Sequence, residues 1–561
     1  MLPLSKIIVR KSLLLLSAVT LSASLMSASV LAADFDQTLD LANQGSSNAQ
    51  FNLGLMYYEG DGVPQDYNKA LSWFKKAAKD NDPLIQFNIG LMYYEGQGVA
   101  QDYNQAARWF GKAALQQLAQ AQYNLGAMYY EGEGVTQDYD KAFQLFEAFA
   151  NQGYAEAQHN LAVMYERGEG VEPDSEKAIQ WYTKSADQGF VDAQVYLCQF
   201  YNQEVGVAEN NSLAFDYCQK AAKKEHPMAQ YALGYMYNHG KGVLQDNTKA
   251  LQWYLKAANQ GHVKAQNNLA TIYLEQKPKP NYTQAAYWLS KAADQNSVTA
   301  QYNLGNLYYN GQGVNQDYNK AFQLFQKSAQ QGYDAAQNNL GFLYEQGKVT
   351  AQDYTQAFNW YSQAAAQGSA QAQHNLGVMY ERGNGVSQDF DQAYKWYLKA
   401  ADQGSAQSQH NIGVMFNEGT GVVQDYAQAF NWFIKVANQG NAQSQHNLGV
   451  LYDNGRGMPR DYKKAVAWYT KAANQRFAQA QLNLGVKYEM GQGVHQDHAE
   501  AVKWYRKAAI QNLPEAQYNL GVLYLNGKGV EQNSDIAQNW FSKACDNGLV
   551  EGCEKKESLS K

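Results

Sequence analysis

Charged residues, proline and cysteine are all scarce in this chain. Only 17% of its 561 residues are charged, and it has 9 prolines and 4 cysteines. Four cysteines are too few for a disulfide-dense scaffold. The formal net charge of −7 argues against a general nucleic-acid binder, which needs a basic face. Aromatic residues, in contrast, make up 13% of the chain, which excludes a disordered polymer.

Residues 1–33 have the order of a secretory signal peptide. Three basic residues lie among the first eleven positions, the apolar run from Ser12 to Leu31 follows, and Ala32-Ala33 supplies small residues for cleavage. Removal of residues 1–32 would leave a net charge of −10, because this segment carries three positive charges and no negative ones. An uncleaved membrane anchor is the alternative, since the run is nearly long enough to span a bilayer. With cleavage and no second long apolar run, we expect a periplasmic or secreted protein without stable membrane insertion.

The rest of the chain repeats one pattern. Glycine recurs at Gly54, Gly90 and Gly126, and this column continues through fourteen repeats over residues 46–548, one of them shortened by one residue. All eleven tryptophans fall in a second column of the same register: Trp73, Trp109, Trp181, Trp253, Trp288, Trp360, Trp396, Trp432, Trp468, Trp504 and Trp540. Self-similarity at a fixed period of this length indicates a repeat architecture.

Each repeat predicts two helices. In the first repeat, apolar residues follow a helical spacing until Gly60, a residue suited to a left-handed helix end, and Asp66 is a suitable N-cap for the second helix. One helical pair cannot bury both of its faces, whereas stacked pairs can. We therefore predict an all-α fold, an α-solenoid, with residues 34–45 as an N-terminal capping helix and residues 549–561 as a C-terminal cap and tail.

A column of large aromatic residues follows the tryptophans. It includes Phe74, Phe110, Tyr397 and Phe433. We expect this column to lie in the core, because the glycine column of the first helix lets a facing ring approach closely.

The stretch from Gln122 to Ala142, with QYNLG, MYYEGEGV, QDY and KA, resembles the Sel-one-like repeat, and WYTKSA from Trp181 supplies the matching second-helix ending. This family is related to tetratricopeptide repeats. The resemblance covers essentially the whole chain after residue 33 and implies a right-handed superhelix of about fourteen helix-turn-helix repeats. It also implies an exported, non-catalytic scaffold for a protein or peptide partner, in envelope regulation or host interaction. Some cysteine-rich relatives are described as weak penicillin-binding or β-lactamase proteins, which leaves β-lactam or peptidoglycan processing as the alternative.

One column varies in chemistry while its neighbours do not. In tetratricopeptide-like solenoids the matching position lines the concave groove, so by analogy this column is a candidate surface for an unknown protein or peptide partner. Its candidate contact residues are Tyr123, His159, Tyr231, Tyr302, His374, His410, His446 and Tyr518. The consecutive histidines do not predict a metal site, because packed helices lie about 8–10 Å apart whereas Zn–N bonds need about 2 Å. Shared ancestry of duplicated repeats is the other explanation of the column.

Asparagine follows this column in twelve of fourteen repeats, and Asn375 and Asn411 are further candidate contacts. The amide has both donors and an acceptor. It could bind the backbone of an extended peptide, or it could satisfy polar groups of the adjoining repeat. The sequence leaves both interpretations open.

The four cysteines suggest two disulfides. Cys198 replaces the glycine and Cys218 the aromatic residue of one repeat, and this coincidence suggests a bond between its two helices in an oxidising compartment. Cys545 and Cys553 are similar in spacing to the Helicobacter cysteine-rich branch of the family, which implies a second bond at the C-terminal cap. Buried free thiols are the alternative.

No catalytic constellation is evident. The Gly-x-Gly-Val loops follow helices rather than strands, no His-Glu-x-x-His occurs, and no serine lies in an elbow motif. We therefore expect no enzymatic activity, no cofactor and no nucleic-acid partner.

Overall fold

The computed structural model describes residues 35–202 and 210–559, so the predicted signal peptide lies outside the described residues. The described chain contains thirty α-helices, one short 3-10 helix (Ala78–Asp80) and no strand. Its described residues divide into two compact halves, one up to Pro280 and the other from Asn281. Within the described ranges, no helix has both the length and the apolar character needed to cross a membrane.

The N-terminal half contains fourteen α-helices in its described part. They are α1 (Phe35–Asn43), α2 (Ser47–Glu59), α3 (Tyr67–Ala77), α4 (Pro83–Glu95), α5 (Tyr103–Leu115), α6 (Ala119–Glu131), α7 (Tyr139–Asn151), α8 (Ala155–Arg167), α9 (Ser175–Asp187), α10 (Val191–Asn202), α11 (Asn211–Lys223), α12 (Pro227–His239), α13 (Asn247–Asn259) and α14 (Val263–Glu275).

The C-terminal half contains sixteen α-helices in its described part. They are α15 (Tyr282–Asp294), α16 (Val298–Asn310), α17 (Tyr318–Gln330), α18 (Asp334–Gln346), α19 (Tyr354–Ala366), α20 (Ala370–Arg382), α21 (Phe390–Asp402), α22 (Ala406–Glu418), α23 (Tyr426–Asn438), α24 (Ala442–Asn454), α25 (Tyr462–Asn474), α26 (Ala478–Met490), α27 (His498–Ala509), α28 (Pro514–Asn526), α29 (Ser534–Asp546) and α30 (Val550–Leu559). Paired helices stacked repeat upon repeat confirm the predicted α-solenoid.

The helix ends follow the predicted signals. Gly60 ends α2 with a left-handed φ of 76°, and its N–H donates to the carbonyl oxygen of Met56. Asp66 then caps α3, because its carboxylate accepts from the backbone N–H of Lys69 at 3.0 Å. Satisfying these terminal groups stabilises short helices that would otherwise fray.

The glycine and aromatic columns meet in the core, as predicted. Phe433 on α23 is almost fully buried, and it lies so close to Gly413 on α22 that a Cβ at this glycine would come within 2.6 Å of its Cε1 atom. The absent side chain is therefore what lets the two helices of a repeat approach.

Both ends of the array are covered by an extra helix. Phe35 and Leu39 of α1 pack against the core around Ala49 and Leu53 of the first repeat. At the other end, α30 is joined to α29 through Cys545 and Cys553.

Both predicted cysteine pairs lie at disulfide distance. The Sγ–Sγ distances are 2.03 Å for Cys198–Cys218 and 1.90 Å for Cys545–Cys553. The first bond joins the two helices where eleven other repeats place a glycine against a ring. The second ties α30 to the last repeat.

The close approach predicts opposite effects of one substitution at two helical glycines. Gly413→Ala should destabilise the chain by about 1–3 kcal/mol, because Phe433 has to move out of a packed core. Gly111→Ala within α5 should stabilise it by about 0.5–1 kcal/mol, because no heavy atom lies within 4 Å of the added Cβ. Thermal unfolding followed by circular dichroism measures both. Shifts of the same sign would contradict the proposed role of Gly413.

Candidate functional site

One stripe of side chains on the first helix of each repeat stays at the surface. In α20 this stripe consists of Gln371, Asn375, Val378 and Arg382, all exposed or partly exposed. Their spacing of three or four residues places them on one side of the helix. We call the surface formed by these positions in successive repeats the A face.

The predicted contact column lies at the inner border of the A face. Each of its rings packs against the buried aromatic residue of the same repeat; the centroids of His374 and Tyr397, for example, lie 5.6 Å apart. The members that remain partly exposed are Tyr231, Tyr302, His374, His410, His446 and Tyr518. They contribute only part of their surface to the A face, because their other side belongs to the core.

Two predicted contact residues are buried and do not reach the A face. Tyr123 packs between Phe146 and Phe149. His159 is only 1% exposed and lies between Tyr182 and Phe190, with ring centroids 5.4 and 5.2 Å away. The prediction was wrong for these two, because the aromatic residues of α7 and of the turn after α9 cover them.

Burial lowers the pKa of the column histidines. The pKa of His159 falls to about 3, and neither of its ring nitrogens has a hydrogen-bond partner. The pKa values of His374 and His410 are lowered as well. These rings are neutral at pH 7.

The three consecutive histidines connect neighbouring repeats. Nδ1 of His374 lies 2.9 Å from Oγ of Ser408 in the next repeat, and Nδ1 of His410 lies 2.8 Å from Oγ of Ser444. Among the described residues, no group of three His, Cys, Asp or Glu side chains is arranged to hold a metal ion. The histidine ladder thus provides contacts between repeats.

The asparagine column also bonds across repeats. Nδ2 of Asn375 donates to Oδ1 of Asn338 at 2.9 Å, and Nδ2 of Asn483 lies 3.1 Å from Nε2 of His446. Asn411 bonds to the buried hydroxyl of Tyr397. These contacts give the asparagine amides a structural role, whether or not a partner also uses them.

Hydrogen bonds between buried tyrosine hydroxyls and carboxylates form a second set of polar contacts, which the sequence analysis did not predict. The hydroxyl of Tyr505 donates to Oε2 of Glu489 at 2.6 Å, and that of Tyr361 donates to Oε2 of Glu345 at 2.9 Å. In each pair the acid precedes the tyrosine by sixteen residues. In four of the six repeats whose aromatic column carries phenylalanine, for example at Phe146, a tyrosine (here Tyr130) occupies the position sixteen residues before it. This exchange of partners at a fixed spacing was present in the sequence as a signal.

A family model for the Sel1 repeat matches fourteen consecutive segments of the chain. They are residues 47–82, 84–118, 119–154, 155–190, 191–226, 227–262, 263–297, 298–333, 334–369, 370–405, 406–441, 442–477, 478–513 and 514–549. The chain belongs to the Sel1 repeat family. Sel1 repeat proteins act as protein-interaction scaffolds and are generally non-catalytic.

Solved structures of other Sel1 repeat proteins are similar in sequence. The c5321 protein of Escherichia coli, described as a protective antigen of uropathogenic strains with an SLR fold, is 30% identical over 94% of both chains, with a TM-score of 0.41. A Sel1 repeat protein from Oxalobacter formigenes is 30% identical over 62% of this chain and 90% of its own, with a TM-score of 0.43. No functionally curated protein matches the chain.

Burial of His159 predicts a loss of stability in acid. The folded chain binds fewer protons at this ring than the unfolded chain between pH 6.5 and about 3, so stability falls as the pH drops through this window. The loss should be about 1.4 kcal/mol per pH unit, or about 2.7 kcal/mol at pH 4.5. His159→Phe should remove this part of the acid sensitivity, since Phe51 and Phe87 fill the same position in other repeats. Thermal unfolding at pH 7 and 4.5 compares the two proteins, and equal acid sensitivity would contradict the assignment.

The amide contacts predict a structural effect of Asn375→Ala combined with Asn411→Ala. Each lost hydrogen bond should cost about 1 kcal/mol, so the melting temperature should fall without any partner present. Asn454→Ala, at an exposed asparagine near the end of α24, is the control and should leave the melting temperature unchanged. An unchanged melting temperature of the double variant, with loss of a bound partner, would instead support a contact role alone.

Proposed function

We propose that this Sel1 repeat protein is an exported, non-catalytic scaffold that binds an extended protein or peptide along the A face. The supporting observation is the uniformity of this face over four consecutive repeats of the C-terminal half. Its residues there are Gln371, Asn375 and Val378; Gln407, Asn411 and Val414; Gln443, Asn447 and Val450; and Gln479, Asn483 and Val486.

The chemistry of this face suits a polypeptide backbone. Glutamine and asparagine amides supply both donors and acceptors, and the valines supply small apolar contacts between them. Because the same three residue types return once per repeat, a partner with an extended and regular backbone can make equivalent contacts in each repeat. Few charges lie on this stretch, so binding there depends on shape and hydrogen bonds.

An aromatic anchor lies next to the uniform stretch. Phe342 on α18 takes the position of the valines in the preceding repeat and is 38% exposed. Large aromatic residues commonly carry much of the energy of an interface. We therefore include Phe342 in the proposed contact surface, together with the partly exposed Tyr302, His374 and His410.

Export is supported by the cysteine pairs and by the signal-like order of residues 1–33. Two disulfides are typical of proteins in an oxidising compartment. The related c5321 protein is described as a protective antigen, which agrees with a location outside the cytoplasm. A role in envelope regulation or host interaction follows from this proposal, with the location periplasmic or secreted. No observation on the described residues supports β-lactam or peptidoglycan processing.

Site-specific crosslinking tests the contact surface. A photoreactive phenylalanine analogue at Phe342 or at Val414 should capture the same protein from an envelope or host extract. The analogue at Ile536 on α29 is the matched control, because Ile536 is 39% exposed but lies on a second helix, away from the A face. We expect no capture from this position.

Substitutions that block the A face provide a second test of the contact surface. Val378→Glu with Val414→Glu adds charge to the A face without opening the core, and should abolish capture at Phe342. Capture of the same protein from Ile536 with equal yield, or capture at Phe342 that the two glutamates leave unchanged, would overturn the proposal.

A further inference from the structure

Turns that follow successive second helices are in contact at points in both halves. Nε2 of Gln403 donates to the carbonyl oxygen of Gly368 in the preceding turn at 2.9 Å. Nζ of Lys224 donates in the same way to the carbonyl oxygen of Gly189 at 2.6 Å. Since successive turns touch, side chains on neighbouring turns share one surface. We call this surface, formed by the last turn of each second helix and the turn after it, the turn edge.

The turn edge is strongly basic over three consecutive repeats. Residues 432–441, 468–477 and 504–513 contain no aspartate or glutamate. They contain five exposed cations: Lys435, Lys471, Arg476, Arg506 and Lys507. The whole chain has a net charge of −7, whereas this stretch is positively charged.

The corresponding segments of the flanking repeats have no such excess of positive charge. Lys399 in the preceding repeat is accompanied by Asp402, and Lys543 in the following repeat by Asp546. The basic stretch therefore has defined limits on both sides.

The lysines of the stretch are held by tryptophan and not by acids. Nζ lies above the indole ring at 4.2 Å in Lys435–Trp432, 3.7 Å in Lys471–Trp468 and 3.7 Å in Lys507–Trp504. Such cation–π contacts orient the ammonium groups but leave their charge uncompensated.

Lysines near the other end of the same helices are neutralised. Lys464 pairs with Asp461 at 3.5 Å on α25, and Lys503 pairs with Glu500 at 2.5 Å on α27. Within the described part of the chain, none of the five turn-edge cations is in an ion pair. The positive potential is thus concentrated at one end of these helices.

Arg476 occupies a strained backbone position. Its φ is 66°, at a place where the neighbouring repeats use Gly404 and Gly440, and a Cβ at either glycine would have no heavy atom within 4 Å. A left-handed conformation costs a residue other than glycine about 1–2 kcal/mol. Gln117 and Glu225 occupy the same position elsewhere, but Arg476 is the one cation at this position in the described repeats. Its exposed side chain makes no hydrogen bond or ion pair among the described residues to offset the strain, which points to an external ligand.

An exposed apolar side chain adjoins these cations. Ile510 follows α27 directly, three residues after Lys507, and is 65% exposed. Basic residues beside an exposed aliphatic side chain are typical of surfaces that bind the headgroup region of an anionic bilayer. A soluble polyanion would use the cations but would have no use for Ile510.

We propose that the turn edge of these three repeats docks the protein onto anionic phospholipid. Arg476, Lys471 and Lys507 donate to lipid phosphates, and Ile510 enters the interfacial region. No helix is inserted, so the contact is peripheral and weakens with salt. The proposal does not rest on the partner proposed for the A face, because the two surfaces use different side chains.

Vesicle binding by the full chain tests this proposal. Flotation with vesicles of phosphatidylcholine and phosphatidylglycerol should recover the unaltered protein, and vesicles of phosphatidylcholine alone should not. Each cation removed should weaken binding about fivefold, so the variant Lys471→Gln, Arg476→Gly, Lys507→Gln should bind about a hundredfold more weakly. Lys464→Gln with Lys503→Gln, on the same helices, is the matched control and should bind like the unaltered protein.

Stability measurements separate strain from charge. Arg476→Gly should raise the melting temperature while it weakens vesicle binding. Asn512→Gly, at the left-handed position of the next turn (φ 63°), removes strain without removing charge and should leave binding unchanged. Equal vesicle binding by the triple variant, no binding by the unaltered protein, or charge-dependent binding to soluble heparin without binding to vesicles would each overturn the lipid proposal.

Discussion

The approach of a buried aromatic ring to a glycine on the facing helix sets the spacing of the two helices in eleven repeats. Because the contact has no room for a Cβ, the sizes of the two partners are coupled. Two of the three repeats without this glycine also change its partner: Cys198 meets Cys218 as a disulfide, and Ala270 belongs to the repeat that carries Leu289 in place of the ring. The third repeat has Ala162 in this column and keeps a buried ring at Tyr182. Because the same contact recurs, the two helices of each repeat have the same spacing, and such pairs of helices can stack regularly.

This fit also decides what remains at the surface. Most large apolar side chains pack between the two helices of a repeat or against the next repeat, so most outward positions carry amides, small aliphatic residues and lysines. The A face and the turn edge are therefore variations on positions that the core leaves free. These surfaces differ along the chain, for example where Phe342 replaces a valine or Arg476 replaces a glycine. Such replacements change the surface but leave the packing of ring against glycine unchanged.

Much of the fold was predictable because its signals are local and recur. The repeat length, the helix caps and the core aromatic column follow from fixed spacings. The Cys198–Cys218 pair follows from the replacement of two facing positions in one repeat, whereas the Cys545–Cys553 pair was implied by the family resemblance. Burial of Tyr123 and His159 was not predictable in this way, since it depends on Phe149 within α7 and on Phe190 in the turn after α9. Lys487 is a further example, because a lysine here occupies a column that is otherwise apolar. Its side chain is buried, and its ammonium group forms an ion pair with Asp453 of the preceding repeat at 2.5 Å.

The interior polar contacts bear on how a partner would bind. Glu381 accepts from the hydroxyl of Tyr397, and that hydroxyl also bonds to the amide of Asn411. One chain of bonds thus runs from α20 through α21 to α22 and ends at a side chain of the A face. Ordering a flexible side chain on binding costs about 0.5–1.5 kcal/mol, and an amide already fixed from inside avoids most of this cost. The structural and contact interpretations of the asparagine column are therefore compatible, because Nδ2 serves the fold while Oδ1 of the same amide is not used in this chain of bonds.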